Sequence, residues 1–185
     1  MKISALNTAL VLSLGTAALL PINAQAADGL INFVGQITAQ TCTISGNGGG
    51  KDFTVTLPTV SVQTLPAVGS WAGRTPFNIA LSGCSPATGN VATYFEPGVS
   101  TDLTTGYLKN DTGTGQATNV QLQLLNDDTT GLQLNQAKNG TNGSKTVALN
   151  AGAATLNYFV QYTAVGGAAT AGKVASRTNY TIVYN

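Results

Sequence analysis

Between residues 28 and 37 (DGLINFVGQI) apolar side chains fall on every second position: Ile31, Phe33 and Ile37 share one face, with Gly29 and Gly35 in line. A period of two is that of a β-strand, whose successive side chains point to opposite faces. The same signature recurs at 37–44, 53–57, 77–81, 91–95, 120–125, 147–149, 156–163 and 179–184, each stretch short and rich in Val, Ile, Thr, Tyr or Phe. Between them lie GNGGG (46–50), NDTGTG (110–115) and NGTNGS (139–144), turn compositions that supply positive φ and Asx bonding. VGGAATAG (165–172) reads as a flexible approach to the last strand. No segment of ten or more residues combines a 3.6 period with caps. The pattern predicts an all-β fold, an antiparallel sandwich of immunoglobulin type in one domain without internal repeats.

The two ends of the chain answer each other. In GKVASRTNYTIVYN (172–185), Val174, Ser176, Thr178, Tyr180, Ile182 and Tyr184 share one face, while Lys173, Arg177 and Asn179 share the other. This last strand has no successor. A seven-stranded sandwich ending at its F position lacks the strand that covers the core there, leaving an apolar face open beside an unpaired edge. The strand at 28–37 either folds back as the first strand of its own domain or leaves it to fill a groove in another copy.

Ahead of that strand, residues 1–26 read as a signal peptide. Lys2 gives the positive start, ALVLSLGTAALL (9–20) the apolar run, and Ala24-Gln25-Ala26 the small-x-small site before Ala27. The expected product is secreted. Removing 26 residues from 185 leaves 159, one domain's worth. Without Lys2, seven basic residues face seven acidic ones, and charged residues are only 8% of the chain. So few charges build no basic patch, which argues against nucleic acid and anionic membrane partners. A neutral surface of Thr, Asn, Gly and Ser favours association.

Two cysteines in an exported chain, Cys42 and Cys84, read as one structural disulfide. There is no His, so neither a Ser–His or Cys–His arrangement nor an imidazole metal site exists. Asp127 and Asp128 are neighbours expected on opposite faces of a strand, Glu96 is read as a turn residue, and Asp102 and Asp111 lack calcium-loop spacing. The expectation is a non-enzyme with no metal or cofactor. Trp71 reads either as a sugar-stacking platform or as a partly buried loop anchor.

The LINFVGQI extension five residues ahead of Cys42, the pairing of Cys42 with Cys84 at the end of TPFNIALSGC, the terminal pattern with Gly172 fourteenth from the end and Tyr184 penultimate, and the signal peptide together resemble a known family. It is that of chaperone–usher pilins, similar to type 1 fimbrial major subunits of Gram-negative bacteria. The resemblance implies an incomplete immunoglobulin-like β-sandwich lacking its final strand, completed by a donor strand from another subunit. It divides the chain into signal peptide (1–26), donor extension (27–38) and pilin domain (39–185). Ile31, Phe33, Gly35 and Ile37 become the donor strand. Gly172, Val174, Ser176, Thr178, Tyr180, Ile182 and Tyr184 become the acceptor groove, with Val174, Tyr180 and Ile182 flooring its pockets. Tyr184 and Asn185 become the chaperone's anchor. Implied partners are other copies and related pilins, a periplasmic chaperone and an outer-membrane usher, with room for a host or surface ligand engaged through the pilus. The implied product is the major rod subunit of an adhesive surface fimbria, passing transiently through the periplasm. The alternative is a free-standing secreted β-sandwich that binds carbohydrate through Trp71, Tyr94 and Tyr107.

Overall fold

The computed structural model describes residues 29–136 and 140–185. The signal-peptide segment lies outside the described residues, as do Ala27 and Asp28. The chain divides into two units, Met1–Gln36 and Ile37–Asn185. In the first, residues 29–36 belong to no helix or ladder. Their apolar side chains stand in solvent, Phe33 being 90% exposed.

Among its described residues the second unit is built of β-strands, with a 3-10 turn at Val62–Thr64. Its strands are β1 (Thr41–Gly46), β2 (Trp71–Ser85), β3 (Asn90–Glu96), β4 (Leu108–Lys109), β5 (Val120–Asn126), β6 (Val147–Ala148), β7 (Ala154–Ala164) and β8 (Asn179–Tyr184). They form two sheets, β1-β2-β7-β5-β4 and β6-β3-β8, with every ladder antiparallel.

Alternation along the strands builds the core. Phe77, Ile79 and Leu81 on β2, Leu122 and Leu124 on β5, and Leu156, Tyr158 and Val160 on β7 point inward from the larger sheet. Val91 and Phe95 on β3 and Ile182 on β8 answer from the smaller one. Ring contacts join the sheets: Phe95 meets Tyr158 edge-on at 5.2 Å and Phe77 at 6.4 Å. Each such pair contributes about 0.5–1.5 kcal/mol beyond the area it buries.

A second cluster consists of Leu65, Ala72, Ala117, Val120 and Ala164, and Tyr162 and Val174 pack against both clusters. Residues 165–172 were expected to be a flexible approach; the structure ties them down instead. Val165 N donates to Asn119 O, Ala169 N to Leu65 O and Thr170 N to Thr118 O.

The predicted strand at 37–44 starts later, at Thr41, and no ladder includes Ile37, which is fully exposed. The predicted strand at 53–57 alternates in burial but joins no ladder. β2 is far longer than predicted, because a register shift between Ala72 and Thr75 lets the polar WAGRT segment join the sheet.

Candidate functional site

The sandwich is open along one side. A groove of about 730 Å³ runs between residues 51–57 and 176–180 and reaches into the core. On the first rim Phe53, Val55 and Leu57 turn half-buried faces to the main cluster while Thr54 and Thr56 face solvent. Phe53 sits so closely over Gly46 that a Cβ there would overlap its ring. On the second rim Ser176, Thr178 and Tyr180 face inward and Arg177 and Asn179 outward. The floor consists of Phe77 and Ile79 from β2, Phe95 from β3, Leu122 and Leu124 from β5, and Val160 from β7. These are core residues of both sheets, so the groove is a gap in the sandwich wall and not a surface dent.

Neither rim has a full set of strand partners. Among the described residues, 51–57 belong to no ladder, and β8 pairs only with β3, leaving its other edge free of any named strand. Ahead of β8 the chain is held by Asn110, whose side-chain amide donates to Ala117 O and Lys173 O while its carbonyl accepts from Ala175 N. Lys173 N donates to Gly115 O and its carbonyl accepts from Ala117 N. The aliphatic hydroxyls of the second rim have their own partners. Ser176 Oγ donates to Lys109 O at 2.7 Å and Thr178 Oγ1 to Glu96 O at 3.2 Å. Polar side chains are therefore compatible with this inward face, since each hydroxyl satisfies itself on main chain.

The structure divides the residues expected to form the groove. Ser176, Thr178 and Tyr180 line it. Val174, Ile182 and Tyr184 lie on the same face but pack into the clusters, so of the three side chains expected to floor the pockets Tyr180 lines the groove, from its rim, and Val174 and Ile182 do not. Gly172 lies against the backbone of Gln116 and Ala117, away from the groove. Asn185 exchanges both main-chain bonds with Asn90, at 2.8 and 2.9 Å, and fixes the end of β8. The opposite rim, residues 51–57, was not foreseen as part of the site. Its Phe-x-Val-x-Leu alternation was the available signal. Ile31, Phe33 and Ile37 are exposed, and Gly29 and Gly35 have open space around them.

Cys42 and Cys84 form a disulfide with Cα atoms 4.1 Å apart, joining β1 to the end of β2. The carboxylates differ from expectation. Asp127 and Asp128 lie in a turn after β5, not on a strand, and both hold Lys145 Nζ, at 2.7 and 2.9 Å. Bonds from the Thr130 hydroxyl and amide, then Lys145, lower Asp128 to about 2. Glu96 is the last residue of β3, not a turn residue, and its carboxylate accepts from Thr181 Oγ1. Asp102 is lowered chiefly by the Thr104 amide and receives Gln121 Nε2 at 2.6 Å. Asp111 faces Arg177 at 3.8 Å. Among the described residues no three acidic or cysteine side chains gather as metal ligands.

Trp71 lies on a strand and not in a loop. It opens β2, half-exposed, with the Arg74 guanidinium 4.2 Å from its ring centre. Tyr94 lies on β3 of the other sheet.

The family model described as type-1 fimbrial protein A matches residues 57–185. The major fimbrial subunit SMF-1 of Stenotrophomonas maltophilia is 51% identical over 168 residues, covering 89% of this chain and 97% of its own. The F17 fimbrial protein of Escherichia coli is 48% identical over 162 residues, covering 85% and 87%. Among solved structures, a chaperone–usher pilus aligns with a TM-score of 0.58 at 17% identity, covering 87% of this chain and 98% of that one. The P pilus rod subunit PapA aligns with a TM-score of 0.54 at 19% identity over 78% and 99%. Those two likenesses carry the fold, which is the immunoglobulin-like sandwich of pilins. With a family match over most of its length and relatives near half identity, the chain belongs to the type-1 fimbrial protein family and is a structural subunit of a pilus.

Proposed function

We propose that the subunit polymerises by donor-strand exchange, residues 28–38 of one copy seating in the groove of the next. The observation that carries this reading is the pairing of two features in one sequence. A groove opens the core between two under-paired rims, and an alternating apolar segment, Ile31, Phe33 and Ile37, stands in solvent. Each supplies what the other lacks. A strand laid between 51–57 and 176–180 completes ladders on both sides and covers the floor. Burying three large apolar side chains contributes about 5–9 kcal/mol, and each ladder hydrogen bond about 1 kcal/mol. Gly35 passes where the groove admits no side chain. The mature subunit is exported after loss of residues 1–26, and a periplasmic chaperone lends its own strand to the groove. That chaperone holds Tyr184 and the terminal Asn185, and an outer-membrane usher exchanges its strand for the next subunit's extension. We assign the chain to the major rod subunit. A 51% identical relative named a major fimbrial subunit and the fold of a P pilus rod subunit support that assignment.

The test compares two versions of the domain lacking residues 27–36. One ends at Asn185; the other continues through a flexible linker into a second copy of residues 28–38. Both are exported, purified and melted. The expected result is a monomer melting far above its parent, with the gain abolished by Phe33→Arg in the appended copy. Equal melting of the two versions means that the groove takes no strand, and the assembly mechanism falls.

A further inference from the structure

One side chain spans the groove from rim to rim. Tyr180, on β8, donates its hydroxyl to the main-chain carbonyl of Lys51 on the opposite rim at 2.8 Å, across 129 positions of sequence. Its ring meets Phe53, also on that rim, edge-on with centres 6.3 Å apart. Phe53 in turn leans on Phe77 of the floor at 6.3 Å. The two rims are thus tied to each other and to the core at this point, although no ladder joins them.

A β-strand seated between two others lies about 4.8 Å from each, so its backbone needs the lane between the rims clear. A phenol reaching across that lane to a carbonyl on the far side stands in the way. An incoming amide would also have to share the Lys51 carbonyl with it. No bond of Ser176 or Thr178 reaches the opposite rim: their hydroxyls turn to Lys109 O on β4 and Glu96 O on β3.

We propose that Tyr180 is a latch on the unoccupied groove, holding it narrow through the bond to Lys51 and opening when a strand seats. The inference rests on the donor-strand reading and adds a control to it. The latch shields the open core of an unpartnered subunit and slows uncatalysed capture of free extensions. Swinging the phenol out uncovers the floor and releases the Lys51 carbonyl to the incoming strand. The bond is therefore present in the empty state and absent in the filled one, which makes its contribution one-sided.

The test uses the full secreted chain carrying Phe33→Arg, so that its own extension does not compete, with and without Tyr180→Phe. The probe is a fluorescent synthetic peptide of residues 28–38. Its association rate is followed by anisotropy, and both free and peptide-bound proteins are melted. Tyr180→Phe keeps the ring and its contact with Phe53 and removes only the hydroxyl. The expected result is association faster by about five-fold, the effect of losing one ordinary hydrogen bond. Alongside it, the free protein melts lower and the bound protein melts unchanged. An unchanged or slower rate, or equal losses in the free and bound melts, overturns the latch while leaving strand addition intact. If neither version takes up the peptide, the donor-strand reading itself fails and the latch falls with it.

Discussion

Gly172 lies flat against the backbone of Ala117. A Cβ on Gly172 would come within 2.8 Å of the Ala117 Cα and closer still to its amide nitrogen. The approach is made rigid on both sides, by the Lys173 bonds to Gly115 and Ala117 and by the Asn110 side chain that holds Ala117 O and Lys173 O together. It sets where the chain leaves the satellite cluster and starts toward the groove. The glycine anticipated as part of the acceptor strand thus acts at a distance, by positioning the segment that becomes the rim.

Gly172→Ala is accordingly expected to cost stability, because the obstacle is main chain and cannot rotate aside. Overpacking of this kind costs about 1–3 kcal/mol. Urea unfolding of the donor-complemented domain is the measurement, with the midpoint falling at unchanged slope. An alanine variant as stable as the parent means that the 115–117 segment yields, and the positioning role is lost with it.

The disulfide provides a second expectation. Cys42 and Cys84 close a loop with a separation of 42 residues, for which the chain-entropy model gives about 4 kcal/mol. The double variant Cys42→Ala with Cys84→Ala should therefore unfold at much lower denaturant. Because the bridge joins β1 to β2 away from the groove, it should still accept the peptide of residues 28–38 wherever it remains folded. Loss of peptide uptake in a folded double variant contradicts that separation.

Alkaline pH should weaken the fold through Tyr158. Burial raises its phenol above the ordinary value of 10.0, against the lesser effect of its bond with Ser144. A raised folded-state value means that the native protein holds this proton more tightly than the unfolded chain. Stability from this group is complete below pH 10 and declines as pH climbs from there through the folded-state value, by at most about 1.4 kcal/mol per pH unit. Tyr158→Phe should flatten the loss of stability above pH 10 in urea titrations at successive pH values. An unchanged slope places the titrating group elsewhere.

Alternation carried most of this fold. The last strand has the residues expected, 179–184, and β3, β5 and β7 differ from expectation by no more than two residues at either end. Period identifies a face but not depth. Val174, Ile182 and Tyr184 share a face with Ser176, Thr178 and Tyr180, yet only the second trio borders the open groove, since what covers a side chain depends on the other elements. Residues 53–57 show the converse, strand alternation without a ladder, because pairing needs a neighbour that this unit does not place there. The N-terminal half of β2 escaped notice because a bulged, polar WAGRT has no clean period. Asp127 and Asp128 lie beyond β5, which ends at Asn126, so the alternation of strand faces does not separate them.

The extension itself allows a finer test than deletion. Ile31, Phe33 and Ile37 are exposed, and a side chain at Gly35 would meet nothing within 4 Å in the free state. Gly35→Val should therefore leave the folding of the subunit's own domain untouched. In the seated state the same branched side chain must enter a groove whose mouth is bounded by Phe53, Val55 and Tyr180. A β-branched residue forced into a site without room for it costs about 1–3 kcal/mol, or roughly five- to 150-fold in affinity. Gly35→Ala, with a single methyl, should fall between. Competition of the two variant peptides against the wild-type 28–38 peptide, with the same acceptor, measures both. An ordering Gly, then Ala, then Val in affinity shows that this position is read by its smallness. Equal affinities show that the groove is deep there and that Gly35 serves only the flexibility of the free extension.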